Sequence, residues 1–212
     1  MADYRYIAVD GLVRSGKTEL ARRMAAAMDA RLILDNTENP YRAQFLTDLE
    51  RGETEGFLKT QLIHLLNRYE QQIHIRQKGL FQKTTISDYI FFRDGIYAHQ
   101  LLGDEELDIY KKIFRLFSDQ VCQPDMVVYL QISFAEMMRR IRESGSAAER
   151  DVPREYWREL FEAYNYFFFN FKSAPLLVVN MEKLDIREKN VMEGLLREIR
   201  DHRLGTRYYA PL

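Results

Sequence analysis

The sequence holds a single cysteine, Cys122, so no disulfide can close within the chain. That usage favours a reduced cellular setting. No apolar run approaches the ~20 residues a membrane-spanning helix needs. The first residues lack the basic-then-apolar pattern of a signal peptide. A soluble, cytoplasmic protein with no membrane partner is the expectation. Net charge is −1 and the sequence pI is about 6.5. A broad basic footprint for duplex binding is therefore missing, and nucleic acid is not an expected partner. The four histidines and Cys122 show no metal-ligand spacing. Glycine and proline are sparse and gather into no linker, so one domain over residues 1–212 is expected.

What is present is an ordinary apolar share of 46%, enough to build a core. Short apolar, β-branched runs alternate with helical patterns. Strands are predicted at Tyr4–Val9, Arg31–Asp35, Thr84–Asp88, Met126–Ile132 and Leu176–Asn180. Helices are predicted at Lys17–Met28, about Glu55–Lys78, Glu105–Ser118, Phe134–Glu143, Arg154–Phe171 and Ile186–Leu204. This alternation gives an α/β fold, a five-stranded parallel sheet flanked by helices. Ligands of such sheets bind beyond the carboxyl ends of the strands. The aromatic run Tyr164–Phe171 suits core or subunit-interface packing.

Gly11-Leu12-Val13-Arg14-Ser15-Gly16-Lys17-Thr18 matches G-x-x-x-x-G-K-[ST] in full. It sits between a predicted strand and a helix, where a phosphate loop belongs. The glycines let the backbone turn its N–H groups toward phosphate oxygens. The helix N-terminus adds its positive end. Lys17 is placed to reach the β- and γ-phosphates, and the Thr18 hydroxyl to ligate Mg²⁺. The nucleotide-contacting set is then Gly11, Arg14, Ser15, Gly16, Lys17 and Thr18, with ATP and Mg²⁺ as cofactors.

Further stretches follow in order: Glu38-Asn39-Pro40-Tyr41, Gln61 with Arg68, Ser87-Asp88-Tyr89, Asp94 with Ile96-Tyr97-Ala98, Pro124–Leu130 and Leu177–Asn180. Together with the loop, they resemble the deoxynucleoside kinase family, and most closely its bacterial deoxyadenosine/deoxyguanosine kinase branch. The resemblance runs from about Tyr4 to Asp185. It implies a P-loop nucleoside kinase fold with a helical lid over about residues 139–153. It also implies transfer of the ATP γ-phosphate to the 5′-hydroxyl of a small-molecule deoxynucleoside, a purine one by preference, in a homodimer.

Gln61 and Arg68 lie seven apart on one predicted helix, so they share a face about 10 Å apart along the axis. A Gln amide both donates and accepts, which suits a nucleobase edge. The resemblance places Tyr41, Gln61, Arg68, Asp94, Tyr97 and Glu149 at the acceptor, and Asp88 with Thr18 at the metal. Arg140 falls on a lid position that supplies a cation to the transferring group. For the hydroxyl's base, Asp35 is the first candidate and Glu38 the alternative.

The chain departs from the family pattern at five places. Leu34 stands where relatives place a glutamate after the second strand, and Asp35 follows it. Tyr89 stands where the motif after the third strand has arginine, and Arg93 and Arg68 are candidates to replace its charge. Ser144 and Ser146 stand where relatives often carry lid arginines. Arg14 stands in the loop where small residues are favoured. His64 sits between Gln61 and Arg68 in place of a small or apolar residue. Two rival readings follow: a nucleoside monophosphate kinase of the thymidylate type, and a nucleotide-binding regulatory protein without catalysis.

Overall fold

A computed structural model describes residues 4–35, 42–52, 56–76 and 84–210. β1 (Tyr6–Gly11), β4 (Met126–Gln131) and β5 (Leu176–Asn180) are apolar runs buried along nearly all their length. Such runs suit the centre of a parallel sheet covered on both faces. β2 (Arg31–Ile33) and β3 (Thr85–Ser87) are shorter. The strand order is β2-β3-β1-β4-β5-β6, and every pair is parallel.

The sheet thus has six strands, not the five expected. β6 (Thr206–Tyr209) pairs Leu176 with Thr206 and Val179 with Tyr209 at the sheet edge. Its first three residues are exposed, so it carries no apolar run to announce it. Backbone bonding forms it instead: the Leu176 N–H donates to the Gly205 carbonyl at 2.9 Å. The buried His202 ring lies 3.1 Å from the Leu176 carbonyl and braces the same corner.

α1 (Lys17–Met28) buries Leu20 and Met24 at helical spacing against β1, β2 and β3. It stops where Asp29 turns left-handed, with φ 48°. α2 (Arg42–Arg51) and α3 (Phe57–Arg76) follow β2, and α4 (Asp94–Leu101) and α5 (Asp104–Ser118) follow β3. α2 and α4 are additions to the sequence expectation: each is short, and α4 has almost no amphipathic pattern. α3, α4 and α5 enclose a second apolar cluster of Leu65, Phe91, Leu101 and Tyr110.

After β4 come α6 (Phe134–Ser144), α7 (Ala147–Asp151) and α8 (Arg154–Phe169), and α9 (Lys189–Asp201) follows β5. Ser133 caps α6 by accepting from the Glu136 N–H at 3.2 Å. α6 and α7 meet at Gly145, where a Cβ would lie 2.3 Å from the Ile141 carbonyl oxygen. Only glycine allows the lid segment to turn that tightly. The aromatic run divides on α8: Tyr164 and Phe168 are core, while Tyr166 and Phe169 are exposed. Among the described residues, no helix is long and apolar enough to cross a membrane.

Candidate active site

The phosphate loop joins β1 to α1, and its shape depends on two glycines. Gly11 has φ +156°, and a Cβ there would meet the Leu130 carbonyl oxygen at 2.6 Å. Gly16 has φ +98° and leads directly into α1. Lys17 folds back over the loop and donates to the Leu12 carbonyl at 2.8 Å. The Ser15 hydroxyl is buried inside the loop without a partner among the described residues. A buried, unpaired donor beside backbone that admits no side chain fits a loop built to receive phosphate oxygens.

Strand order sets the next contact. β3 lies beside β1, so Asp88, just past β3, faces the loop. Its carboxylate accepts from the Thr18 hydroxyl at 2.5 Å and from the Asp35 N–H at 2.6 Å. Asp35 was expected to end β2, but the strand stops at Ile33. Leu34 and Asp35 have left the ladder, and Asp88 holds the Asp35 backbone in the strand's place.

Arg68 organises the acceptor end from α3. Its Nε and Nη2 donate to the two Asp35 oxygens at 3.0 Å each. Its Nη1 donates to Asp94, whose other oxygen accepts from the Tyr110 hydroxyl at 2.8 Å. Burial works to raise the Asp35 carboxyl, but the charges of Arg68 and Arg93 more than offset it and hold Asp35 down at about 2. Gln61 is buried on the same helix, and Gln61, His64, Arg68 and Asp94 line one pocket of about 780 Å³ with Lys17 and Thr18. That volume is within the usual range for a small-molecule site.

The arginine missing at position 89 has a replacement in space. Tyr89 is buried, with the Arg68 guanidinium 6.0 Å from its ring centroid. Arg93 lies between Asp10 at 3.6 Å and Asp35 at 3.7 Å, over the Tyr97 ring. Its Nε and Nη1 have no hydrogen-bond partner among the described residues. Asp10 is a site residue that sequence reasoning passed over. Its carboxylate accepts from the Ile90 N–H at 2.9 Å and faces Arg93 from the end of β1. The available signal was a lone carboxylate closing an otherwise apolar strand.

The lid elements deliver Glu149 to the pocket but turn Arg140 away from it. Glu149 forms a capping box with Ser146 and an ion pair with Arg14. Arg140 donates to Glu136 at 2.6 Å, to the Arg14 carbonyl at 3.2 Å and to the Met181 carbonyl at 2.7 Å. It does not stand among the residues lining the pocket. Tyr41 and Glu38 lie outside the described residues.

The profile of the deoxynucleoside kinase family matches residues 7–203. A deoxyguanosine kinase of Bacillus subtilis (strain 168) is 27% identical over 164 residues, covering 75% of this chain and 76% of that one. A deoxyadenosine/deoxycytidine kinase of the same organism is 27% identical over 203 residues, covering 91% of this chain and 90% of that one. Among solved structures, a deoxyadenosine kinase from M. mycoides with bound dATP superposes with a TM-score of 0.77. The two chains are 22% identical, and the match covers 92% of this chain and 100% of the other. A profile match of that extent, over the same loop and pocket the fold assembles, places the chain in the deoxynucleoside kinase family.

Proposed function

We propose that the protein transfers the γ-phosphoryl group of ATP to the 5′-hydroxyl of a deoxynucleoside, with a purine preferred. The observation that carries this reading is the Arg68–Asp94 pair buried beside Gln61 in the pocket that also holds Lys17 and Thr18. A polar, hydrogen-bonding wall suits a nucleobase edge. Both arginines at this end are matched by carboxylates: Arg68 by Asp35 and Asp94, Arg93 by Asp10 and Asp35. A charge-balanced wall suits an uncharged nucleoside better than the anionic acceptor of a nucleoside monophosphate kinase. The names of the relatives above favour a purine.

Lys17 and the loop N–H groups would bind and orient the donor phosphates. Thr18 and Asp88 would hold Mg²⁺, an ion that shields the phosphates and spreads their charge. Asp35 accepts the hydrogen bond of the 5′-hydroxyl and aims its oxygen at the γ-phosphorus. As the new P–O bond forms and the bond to ADP breaks, the hydroxyl proton passes to Asp35. A carboxylate held near 2 is a weak base. Phosphoryl transfer with a loose transition state asks mainly for positioning, so orientation is its larger part. Arg68 and Arg93 together keep Asp35 ionised, and Arg93 supplies the cation that Tyr89 cannot.

Asp35→Asn keeps the shape and removes the charge. Single-turnover phosphorylation of deoxyadenosine and deoxyguanosine is expected to slow on the order of 10²–10⁴-fold, with ATP affinity little changed. Normal rates in Asp35→Asn would pass the role to another group, and failure of the wild type to phosphorylate any deoxynucleoside would remove the kinase reading.

Quaternary structure and compartment belong to the same proposal. Leu66 and Ile73 on α3, and Ile109 and Leu116 on α5, are exposed. Each pair is seven residues apart, so each forms a stripe on one helix face. The two helices pack together, and a homodimer across this surface would cover both stripes. Leu116→Glu is expected to sediment as a monomer where the wild type sediments as a dimer; equal sedimentation would exclude this surface. A cytoplasmic location fits the lone free thiol of Cys122.

A further inference from the structure

Two departures from the family pattern, far apart in sequence, meet in the fold. The lid holds Ser144 and Ser146, and the phosphate loop holds Arg14. Both serines serve helix ends: Ser144 donates to the Arg140 carbonyl at 2.9 Å, and Ser146 caps α7. The lid's arginines all stand outside the pocket lining, with Arg142 exposed on α6. Arg139 pairs with Glu136 and Glu143 on the exposed side, Arg140 is braced as described, and Arg150 donates to the Gly145 carbonyl at 2.9 Å. The pocket cations are instead Arg14, Lys17, Arg68 and Arg93.

Arg14 is held under tension in two respects. Its backbone adopts φ 60°, a left-handed conformation unusual outside glycine. Such conformations are costly for a residue with a side chain, and they gather at functional sites. Its Nη2 donates to Glu149, while its buried Nε has no partner among the described residues. Burial works to raise the Glu149 carboxyl, and bonds from Arg14 and the Ser146 N–H outweigh it, so Glu149 stays ionised.

We propose that Arg14 and Glu149 form an exchange latch, in which Glu149 restrains Arg14 until an acceptor nucleoside claims the carboxylate. The latch rests on the kinase reading above. Glu149 on α7 of the lid and Arg14 within the phosphate loop both line the pocket, so one ion pair ties the lid to the loop. A sugar hydroxyl that donates to Glu149 weakens its hold on Arg14. The freed guanidinium then turns to the terminal phosphate, where the loop itself supplies the cation that the lid does not bring to the pocket. Acceptor and donor therefore bind cooperatively, and by linkage the coupling is the same in both directions.

The test is calorimetric titration with Mg²⁺ and β,γ-methylene-ATP, with and without saturating deoxyadenosine. Without deoxyadenosine, Glu149→Gln is expected to bind the analogue about tenfold more tightly than the wild type, since Arg14 is no longer held. Deoxyadenosine should tighten the wild type by a similar factor and leave Glu149→Gln unchanged. Arg14→Gly suits the left-handed backbone, and it should bind the analogue weakly with or without deoxyadenosine. Arg14→Gln provides a second variant that keeps the side-chain bulk. Equal nucleoside-free affinity in Glu149→Gln and the wild type would overturn the latch, as would full deoxyadenosine coupling in either Arg14 variant. The nucleoside-free comparison needs no turnover. Failure of the kinase reading would appear separately, as a wild type that phosphorylates no deoxynucleoside.

Discussion

Lys17→Ala is expected to lower kcat on the order of 10³-fold, about 4 kcal/mol of transition-state stabilisation, with the fold intact. The lysine's charge is placed where negative charge shifts onto the leaving phosphate oxygens, and the loop's backbone N–H donors are uncharged. Its environment adds a pH signature. Burial and the neighbouring Arg93 push the Lys17 ammonium down to about 8, against the pull of Asp10, Asp88 and Asp35. Phosphate binding needs the charged form, so ATP affinity should fall as pH rises through about 8, with uptake of a proton on binding. Stability runs the other way. Between about 8 and the ordinary lysine value of ~10.4 the unfolded chain binds more protons, so folding gains as pH rises through that window. Lys17→Ala should lose both signatures. Turnover within tenfold of the wild type, read by coupled ADP release, would defeat the assignment.

Arg68→Ala should be the most destabilising single change in the pocket. The guanidinium lies between Asp35 and Asp94, and its loss leaves Asp94 buried with the Tyr110 hydroxyl as its side-chain hydrogen-bond partner among the described residues. Breaking a buried pair from one side costs about 3–5 kcal/mol. For a chain of this length that lowers Tm by about 10 °C. The sign of the acid dependence follows from Asp35. Its carboxyl is held at about 2 in the folded protein, below the ordinary ~3.9. Its contribution is present above ~3.9 and is lost as pH falls toward 2. Without Arg68 that protection shrinks, and the acid-unfolding midpoint should move upward. Arg68→Met with Asp94→Leu removes both charges and should recover much of the loss. A Tm for Arg68→Ala within about 2 °C of the wild type would mean the pair contributes little.

Legibility in the sequence followed the strength of local pattern. The phosphate loop could be placed from its spacing alone, and β4 and β5 from their continuous apolar runs. The seven-residue interval from Gln61 to Arg68 put both on one face, and both line the pocket. β6 escaped because an edge strand can form on backbone bonds with exposed side chains. Arg93 was visible only as one of two candidates, because its role depends on β1 and the residues after β2 converging on it. Arg14 stood out in the sequence only as a long side chain in the phosphate loop. Its contact with Glu149 spans 135 positions, and no periodicity reports a contact of that kind.

Asp88 touches Thr18 with one oxygen and the backbone of Asp35 with the other. One short, stiff side chain thus acts as a ruler between the two substrates. On the proposed function, the separation of attacking hydroxyl and donor phosphate would be set at the rim of the sheet, and the base would be read by Gln61 and Asp94 on α3 and α4 further out. Sequence drift in those helices can retune which nucleoside is accepted and leave the reacting atoms in line. A family built on such a ruler can change its diet without relearning its chemistry.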